Sequence, residues 1–402
     1  MDTLDAATAR WLVTDGTPHV DDVTAALDAG EAELAVVTRL RRTGLSPAAS
    51  SAVVAAAVAR RRARARWPQA DRLLFTREGL EQASDPTVSD WRTRRLGSGA
   101  VWDLCAGLGG DAFAAAAHGA EVTAVDLDEA RLVLLGHNAR QLGLEVGTCC
   151  ADALHVAVPD DAVFHADPGR RRDGRRVRRL AEHLPPVGAL LAAQSHARGG
   201  GVVLSPAVDL ADPDLPGDAE LEFVQVEGEL RESIVWTAAL RTPGVGARAT
   251  LLPSGVTRTR PADAPRTRLP VGAPGAVLLR VAPAAVRARL HDTIGAEVGA
   301  RRLADARALL TLDEPPSPSP WYRASQIHAV LPVRPKAVRA WLRSVDVDEV
   351  EIATHGMEID VAAWWRALGR PPRGPRGWRL EVVRTDAGGR VLVTRDGRTD
   401  GR

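Results

Sequence analysis

Apolar residues recur at helical spacing through residues 1 to about 70, which predicts an N-terminal helical region. Positions 23–27 and 34–40 carry apolar side chains at intervals of three and four residues. Ser46 followed by Pro47 is typical of an N-cap with proline at the first helical position, so a third helix is predicted over 48–66. That helix ends in five arginines, which we interpret as a solvated helix end.

From residue 100 the pattern changes to short apolar strands that alternate with helices. Strands are predicted at 100–104, 122–125, 145–149, 161–166 and 201–205. Helices are predicted at 112–117, 129–142 and 187–198. This alternation is typical of a parallel, doubly wound α/β sheet. Two further strand-like runs, 221–227 and 233–240, are separated by a glycine-containing turn and predict an antiparallel hairpin at the end of the sheet.

The remainder of the chain divides at a proline-rich run. Residues 243–275 are rich in Pro, Gly, Thr and Arg and are predicted to be a loop or insertion, and helices are predicted at 283–290 and 300–310. The prolines of 315–320 indicate a linker. Beyond it, strands at 327–330, 349–353, 380–384 and 390–394 with helices at 336–343 and 361–368 predict a small α/β unit. The predicted domains are 1–70, 71–313 and 321–397.

Composition excludes several classes of protein. The net charge of the 402-residue chain is +1, so no overall basic field indicates a nucleic-acid partner. Three cysteines form neither a disulfide framework nor a zinc pattern, so no metal is expected. No apolar run is long enough to span a bilayer, and the acidic start of the chain lacks the features of a signal peptide. We expect a cytoplasmic enzyme with no membrane partner; its oligomeric state stays open.

The stretch from residue 100 to 128 carries the clearest chemistry. The first strand ends in Asp103, a turn with three glycines follows, and the second strand delivers Asp126. A strand, glycine turn, helix, strand and acid in this order are typical of half of a nucleotide-type binding fold.

The cofactor that this stretch predicts is S-adenosylmethionine rather than NAD, although the glycines also satisfy the loose dinucleotide fingerprint. Asp103 would repel a pyrophosphate over the same turn, but it can accept hydrogen bonds from an amino-acid ammonium. Asp126 suits ribose hydroxyls in either cofactor. Asp152, which follows the third strand, is placed to accept from an adenine amino group.

The acceptor is expected beside Asp167, at the end of the fourth strand. Methyl transfer is an in-line displacement at an activated sulfonium, so the enzyme mainly positions the acceptor and accepts a proton or hydrogen bond, which Asp167 can do. A dense arginine block follows: Arg170, Arg171, Arg172, Arg175, Arg176, Arg178 and Arg179. It can hold substrate phosphates or form a solvated surface, and the sequence leaves both open.

At these residues the chain resembles a bacterial family of class I S-adenosylmethionine-dependent methyltransferases that end in a THUMP-like domain. The resemblance rests on segments 75–84, 103–111, 167–171, 204–209 and 228–232. It implies a class I, Rossmann-like sheet with an antiparallel terminal hairpin, an N-terminal helical region and a small C-terminal α/β domain. It also implies an RNA substrate, tRNA or rRNA.

The predicted site residues follow from the motifs and the resemblance together. The cofactor-binding set is Asp103, Cys105, Gly107, Gly109, Asp111, Asp126 and Asp152. The catalytic set is Asp167, Pro168 and Arg170, and the substrate-binding set is Arg171, Arg172, Arg175 and Gln82. Cys105 stands where many methyltransferases have their first glycine.

The acceptor atom is not identified by these motifs. Amino-group methylases of nucleobases usually have Asp or Asn, two prolines and then an aromatic residue that stacks on the base. In this chain Gly169 and Arg170 occupy the last two of these positions. Uridine C5 methylases need a cysteine nucleophile after the fifth strand, where this chain has Ser205. Direct transfer is therefore expected. A protein or small-molecule acceptor, or a non-catalytic RNA-binding relative, stays as an alternative.

The C-terminal unit interleaves tryptophans with arginines. The tryptophans are Trp364, Trp365 and Trp378, and the arginines are Arg366, Arg370, Arg373, Arg376 and Arg379. The pattern suits base stacking with phosphate contact, or equally a tryptophan core with a solvated arginine rim.

Overall fold

A computed structural model describes residues 4–172, 175–265, 267–304, 308–345, 350–369 and 378–396. The side chains of residues 171, 172, 175, 176 and 396 also lie outside the description. The chain divides into two compact units. The first comprises Met1–Gly246 with Leu252–Val256, and the second comprises Ala247–Leu251 with Thr257–Arg402.

The first unit begins with the predicted helical region. Its helices are α1 (Ala6–Trp11), α2 (Thr17–Asp28), α3 (Glu33–Arg42) and α4 (Pro47–Ala63). The hydroxyl of Ser46 caps α4 by accepting from the N–H of Ala49 at 3.1 Å, as the Ser-Pro pair predicts. The interpretation of the arginines as solvated is wrong for Arg60. It is buried, and its guanidinium donates to the Leu73 carbonyl at 2.9 Å and to Asp21 at 2.5 Å.

A central sheet follows two short helices, α5 (Arg77–Gln82) and α6 (Pro86–Thr93). Its strands are β1 (Ala100–Leu104), β2 (Glu121–Asp126), β3 (Val146–Cys150) and β4 (Val163–Ala166). A two-stranded ribbon, β5 (Arg171–Arg172) and β6 (Arg175–Arg176), precedes β7 (Gly199–Leu204), β8 (Glu220–Val226) and β9 (Glu229–Ala238). The crossover helices are α7 (Gly110–Ala117), α8 (Glu129–Leu142) and α9 (Val187–Ala193).

Among these strands, the order within the sheet is β8-β9-β7-β4-β1-β2-β3. Strands β3, β2, β1, β4 and β7 run parallel to one another, whereas β9 is antiparallel to both β7 and β8. This arrangement confirms the predicted parallel sheet with an antiparallel terminal hairpin. The chain turns from one half of the sheet to the other between β1 and β4, where ligands bind in open α/β sheets.

The loop predicted for 243–275 is wrong in its first half. Strands β10 (Val245–Leu252) and β11 (Val256–Pro261) occupy it. Along β10, burial alternates at Ala247 and Ala249, and then continues through Thr250, Leu251 and Leu252. Gly244 and Gly255 lie in the turns that flank β10 and adopt positive φ angles.

The second unit is built around one mixed sheet. Its strands are β12 (Val277–Val281), β13 (Arg301–Arg302), β14 (Leu309–Leu312), β15 (Tyr322–Pro332), β16 (Glu351–His355), β17 (Trp378–Thr385) and β18 (Gly388–Asp396). Its helices are α10 (Pro283–Arg287), α11 (His291–Glu297), α12 (Pro335–Ser344) and α13 (Val361–Leu368). The strand order is β13-β14-β12-β15-β18-β17-β16.

Two expectations for this region need correction. The helix predicted at 300–310 is instead β13 and the start of β14, because Leu309 and Leu310 pair with β12 in the sheet. The prolines at 315–320 do not separate two compact units. Strand β12 before them pairs antiparallel with β15 after them, so they form a connection within one unit.

No helix in the part of the chain that the structure describes is long and apolar enough to cross a bilayer.

Two of the three glycines that open β7, Gly200 and Gly201, leave room for aromatic rings. A Cβ atom on Gly200 would overlap the ring of Phe164, so we expect Gly200→Ala to lower the free energy of unfolding by about 1–3 kcal/mol through overpacking. Urea denaturation measures this change. Gly99→Ala is the control, because a Cβ there meets no atom within 4 Å. Equal midpoints for the two variants would contradict the packing argument.

Candidate cofactor and acceptor site

The glycine turn after β1 is held in left-handed backbone conformations. Cys105, Gly107 and Gly109 have φ angles of 63°, 56° and 90°. A Cβ on Gly109 would lie 2.7 Å from atoms of both Phe113 and Leu135, so the start of α7 packs too closely for a side chain. At Gly107, by contrast, a Cβ would meet nothing within 4 Å, and the backbone faces open space. A left-handed non-glycine residue such as Cys105 carries backbone strain, which is common at ligand sites.

Asp126 fixes this turn from the end of β2. Its Oδ2 accepts from the N–H of Gly107 at 2.8 Å, and its Oδ1 accepts from the N–H of Asp128 at 2.9 Å. A carboxylate oxygen can accept more than one hydrogen bond, so a diol can still donate to this half-buried group. The next residue, Leu127, is 71% exposed and offers an apolar surface beside Asp126. Sequence reasoning missed Leu127, although an apolar residue directly after a strand-end acid is a visible signal.

Asp103 lies in β1 beneath the turn and is 2% exposed. Its Oδ1 is 2.7 Å from Nδ1 of His165, which is 1% exposed and lies opposite it in the β1–β4 register. Among the residues that the structure describes, Oδ2 of Asp103 has no hydrogen-bond partner. A buried carboxylate oxygen without a donor is costly, and a ligand ammonium would satisfy it. Sequence reasoning missed His165.

Asp111, in the first turn of α7, forms its hydrogen bonds with other residues of the protein. Both of its oxygens accept from the guanidinium of Arg92, at 2.7 and 2.6 Å, and Ser84 donates to Oδ2 at 3.1 Å. A third nitrogen of Arg92 contacts Glu232 on β9 at 2.5 Å. Sequence reasoning predicted a cofactor contact for Asp111, and the structure shows that it anchors the helix that opens at the glycine turn.

These buried charges shift one another's pKa. Burial alone would raise the pKa of Asp111, but Arg92 holds it well below its usual value. Burial lowers the pKa of Arg92, yet Asp111 and Glu232 raise it well above its ordinary value. The pKa of Glu232 is raised by burial, against the opposing effect of Arg92. The cluster therefore keeps Asp111 and Arg92 charged.

The carboxylates at the strand ends all act on the pKa of the Cys105 thiol. Burial first, and then Asp126, Asp103, Asp167 and Asp152, raise the pKa of this thiol. Four carboxylates predicted from separate strand ends therefore act on one atom at the carboxyl edge of the sheet. The thiol stays protonated at neutral pH, and a protonated thiol is a poor nucleophile.

Asp152 lies in a turn just after β3. Its Oδ1 accepts from the N–H of Leu154 at 2.9 Å, and its Oδ2 is 3.1 Å from Nδ1 of His155. The side chain is partly exposed, so it is open to a ligand.

The residues predicted to meet the methyl acceptor follow β4. Arg170 reaches back to Asp167, with Nη2 3.5 Å from Oδ1, and Pro168 between them is buried. Gly169 exchanges two backbone hydrogen bonds with Leu184, at 2.8 and 3.0 Å, and Leu184 presents an exposed apolar side chain. Arg171, Arg172 and Arg175 contribute backbone to the β5–β6 ribbon, and the positions of their side chains lie outside the described part of the chain.

Gln82 is the one predicted substrate residue on a helix. It is exposed at the end of α5, and its amide donates to Glu78 of the same helix at 3.0 Å.

A separate cavity of about 540 Å³ opens at the other end of the strands. It is lined by Trp102, Arg140 and the first residues of β1, β2 and β3. None of the predicted site residues lines it. The unpartnered oxygen of Asp103 and the open space at Gly107 make the carboxyl edge the better candidate for a cofactor that carries an ammonium group.

The buried guanidinium of Arg92 should dominate the stability of this edge. We expect Arg92→Ala to lower the free energy of unfolding by about 3–5 kcal/mol, because it leaves two buried carboxylates without their cation. Thermal and urea denaturation check this. The matched control is Arg94→Ala, which removes an exposed ion pair with Asp90 and should cost less than about 1 kcal/mol. Similar losses in both variants would refute a special role for Arg92.

Comparison with known proteins identifies the family. A family model described as THUMP domain-like matches residues 322–396. An uncharacterized S-adenosylmethionine-dependent methyltransferase of Mycobacterium tuberculosis, found in strains CDC 1551 / Oshkosh and ATCC 25618 / H37Rv, is 33% identical over 329 residues. The match covers 80% of this chain and 87% of the relative. A solved structure of a protein from Porphyromonas gingivalis W83, named as a methyltransferase, superposes with a TM-score of 0.77 at 22% identity and covers 94% of this chain and 98% of the other. The chain therefore belongs to the S-adenosylmethionine-dependent methyltransferases, uses S-adenosylmethionine as its cofactor, and carries a THUMP-like domain at its C-terminal end.

Proposed function

We propose that this enzyme methylates RNA, either tRNA or rRNA, by direct in-line transfer without a covalent enzyme intermediate. When bound, S-adenosylmethionine supplies a methyl group that its sulfonium has already activated. The chain's own residues then have to hold the cofactor, orient the acceptor and accept a proton or hydrogen bond.

The cofactor-binding part of the proposal assigns one carboxylate to each of three parts of the ligand: the methionyl ammonium, the ribose and the adenine. Asp103 Oδ2 accepts from the methionyl ammonium, because it is buried and unpartnered among the described residues. Asp126 accepts from the ribose hydroxyls while its bond to Gly107 holds the turn in place. Asp152 accepts from the adenine amino group, and Leu127 covers the ring with its exposed side chain.

The acceptor side of the proposal uses Asp167 and Arg170. Asp167 accepts a proton or hydrogen bond from the acceptor, and Arg170, 3.5 Å away, orients that carboxylate and contacts the substrate backbone. Covalent catalysis by a thiol is disfavoured, since Cys105 is held protonated and Ser205 follows β7.

The observation that carries RNA as the acceptor is an aromatic and cationic cluster within the THUMP-like match. We call it the Trp378 cluster: His328, Trp341, Trp378 and Arg395. The ring of Trp378 lies 4.7 Å from that of His328 and 5.7 Å from that of Trp341, and the Arg395 guanidinium is 5.3 Å from its centre. His328 and Arg395 are exposed. Trp341 and Trp378 are half-buried against the hydrophobic core of the unit. An exposed imidazole and an exposed guanidinium beside these two rings suit base stacking and phosphate contact.

The other two tryptophans of the predicted pattern, Trp364 and Trp365, do not belong to this cluster. Trp364 is buried in the hydrophobic core of the unit, and Trp365 packs partly buried against the same core. The interpretation as a tryptophan core therefore holds for Trp364. Arg370, Arg373 and Arg376 lie outside the described residues.

Removal of the strand-end acid tests the cofactor site. We expect Asp126→Ala to weaken S-adenosylhomocysteine binding by about 1.5–3 kcal/mol, because hydrogen bonds to a charged group are lost. Isothermal titration calorimetry measures the affinity. Glu121→Ala is the control, since Glu121 is an exposed carboxylate at the opposite end of the same strand and lines the other cavity. Unchanged binding in the first variant, or an equal loss in the second, would move the cofactor away from this edge.

Labelled methyl transfer tests the acceptor class. The enzyme is incubated with radiolabelled S-adenosylmethionine and total RNA, protein and small-molecule fractions from a strain that lacks its gene. We expect label in RNA, and nucleoside analysis then identifies the methylated atom. The double variant His328→Ala, Arg395→Ala should reduce transfer to RNA and leave S-adenosylhomocysteine affinity unchanged. Label in protein or small molecules alone would overturn the RNA proposal and favour that acceptor class.

A further inference from the structure

The histidine beside Asp103 forms a buried polar pair with it. His165 lies on β4 directly opposite Asp103 on β1, and because the two strands are parallel neighbours, both side chains project from the same face of the sheet. The imidazole Nδ1 and the carboxylate Oδ1 are 2.7 Å apart. Both residues are almost completely buried, so water does not compete for this contact.

Charged groups from two helices face this pair. Asp111 of α7 and Arg92 of α6 both act on His165, as does Asp103 itself. Burial alone would lower the pKa of His165, but the carboxylates of Asp111 and Asp103 raise it above its ordinary value, against the effect of Arg92. Burial also raises the pKa of Asp103, against the hydrogen bond from His165. Together the pair retains a proton between its two members.

Each member of the pair keeps one unused polar atom. Among the described residues, neither Oδ2 of Asp103 nor Nε2 of His165 has a hydrogen-bond partner. The pair is therefore half satisfied. With Oδ1 held by His165, the aspartate cannot rotate freely, and the acceptor that remains is Oδ2.

We propose that His165 is a positioning residue for the methionyl end of S-adenosylmethionine. Its Nδ1–H holds Oδ1 of Asp103 and so fixes Oδ2 in the orientation that receives the ligand ammonium. This inference rests on the proposed role of Asp103. It assigns His165 no contact with the reacting atoms.

The proposal predicts a loss that depends on the ligand. Without His165, Asp103 loses its fixed orientation, so ligands that carry the ammonium lose affinity and ligands without it do not. S-adenosylhomocysteine has the ammonium, whereas 5′-methylthioadenosine keeps the adenine, ribose and sulfur but lacks it. We expect about a tenfold weaker affinity for the first ligand and little change for the second.

Two amide variants separate positioning from packing. In His165→Asn the amide nitrogen can occupy the place of Nδ1, so S-adenosylhomocysteine affinity should be largely retained. In His165→Gln the amide reaches the place of Nε2 instead, so the tenfold loss should appear. Calorimetry with both ligands and thermal unfolding of each variant form the experiment. Full affinity in His165→Gln, or equal losses for both ligands, would overturn the proposal.

Asp103→Asn distinguishes failure of this inference from failure of the cofactor assignment. If Asp103→Asn weakens S-adenosylhomocysteine selectively and His165→Gln does not, the assignment of Asp103 stands and the role of His165 is wrong. If neither variant discriminates between the ligands, the assignment of Asp103 itself is wrong.

The wild-type protein supplies a test that needs no variant. Nitrogen-15 NMR of labelled histidines in the S-adenosylhomocysteine complex reports which ring nitrogen of His165 carries a proton. We expect a protonated Nδ1. A neutral ring with its proton on Nε2 alone would overturn the proposal, because Nδ1 could then no longer donate to Asp103.

Discussion

The buried guanidinium of Arg92 is the constraint on which the carboxyl edge of the sheet depends. A buried cation must be paired, and Arg92 is paired with Asp111 in the first turn of α7 and with Glu232 on β9. These contacts tie the helix after the glycine turn to the terminal hairpin. Asp111 in turn acts on His165, which holds Asp103. Arg92, Asp111 and His165 thus form a series of interacting charges that ends at Asp103, the carboxylate that we propose for the cofactor ammonium.

This arrangement gives the acids of the edge different tasks. Asp126 bonds Gly107 of the glycine turn and Asp103 bonds His165, and each carboxylate keeps an acceptor that a ligand can use. Asp111 has both oxygens bonded to Arg92, so it fixes the start of α7. Asp167, which we propose for the methyl acceptor, also raises the pKa of the Cys105 thiol.

The sequence pattern predicted correctly those helices and strands in which the apolar residues lie clearly on one face. Strand β1 and helices α8 and α13 have the predicted bounds, since each has a clear apolar pattern and both helices are capped at their ends. The strands at 245–261 were missed because turn residues at their ends dominated the composition. Residues 300–310 contain leucines that suit either a helix or a strand, and pairing with β12 decides between them.

Within the candidate site, the strand-end acids were predictable because each lies at the end of a strand or within two residues after it. His165 and Arg92 were not, since their partners are far away in sequence: His165 pairs with Asp103 62 residues earlier, and Arg92 with Glu232 140 residues later. A single histidine in an apolar strand gives no local sign of the acid opposite it. Such pairs depend on strand order and register, which the local pattern does not contain.

A crystal structure of the protein with S-adenosylhomocysteine tests the central claim most directly. The account predicts the ligand ammonium within hydrogen-bond distance of Asp103 Oδ2, with the contact between Oδ1 and His165 retained. A ligand bound at the opposite ends of the strands, or an ammonium turned away from Asp103, would contradict it.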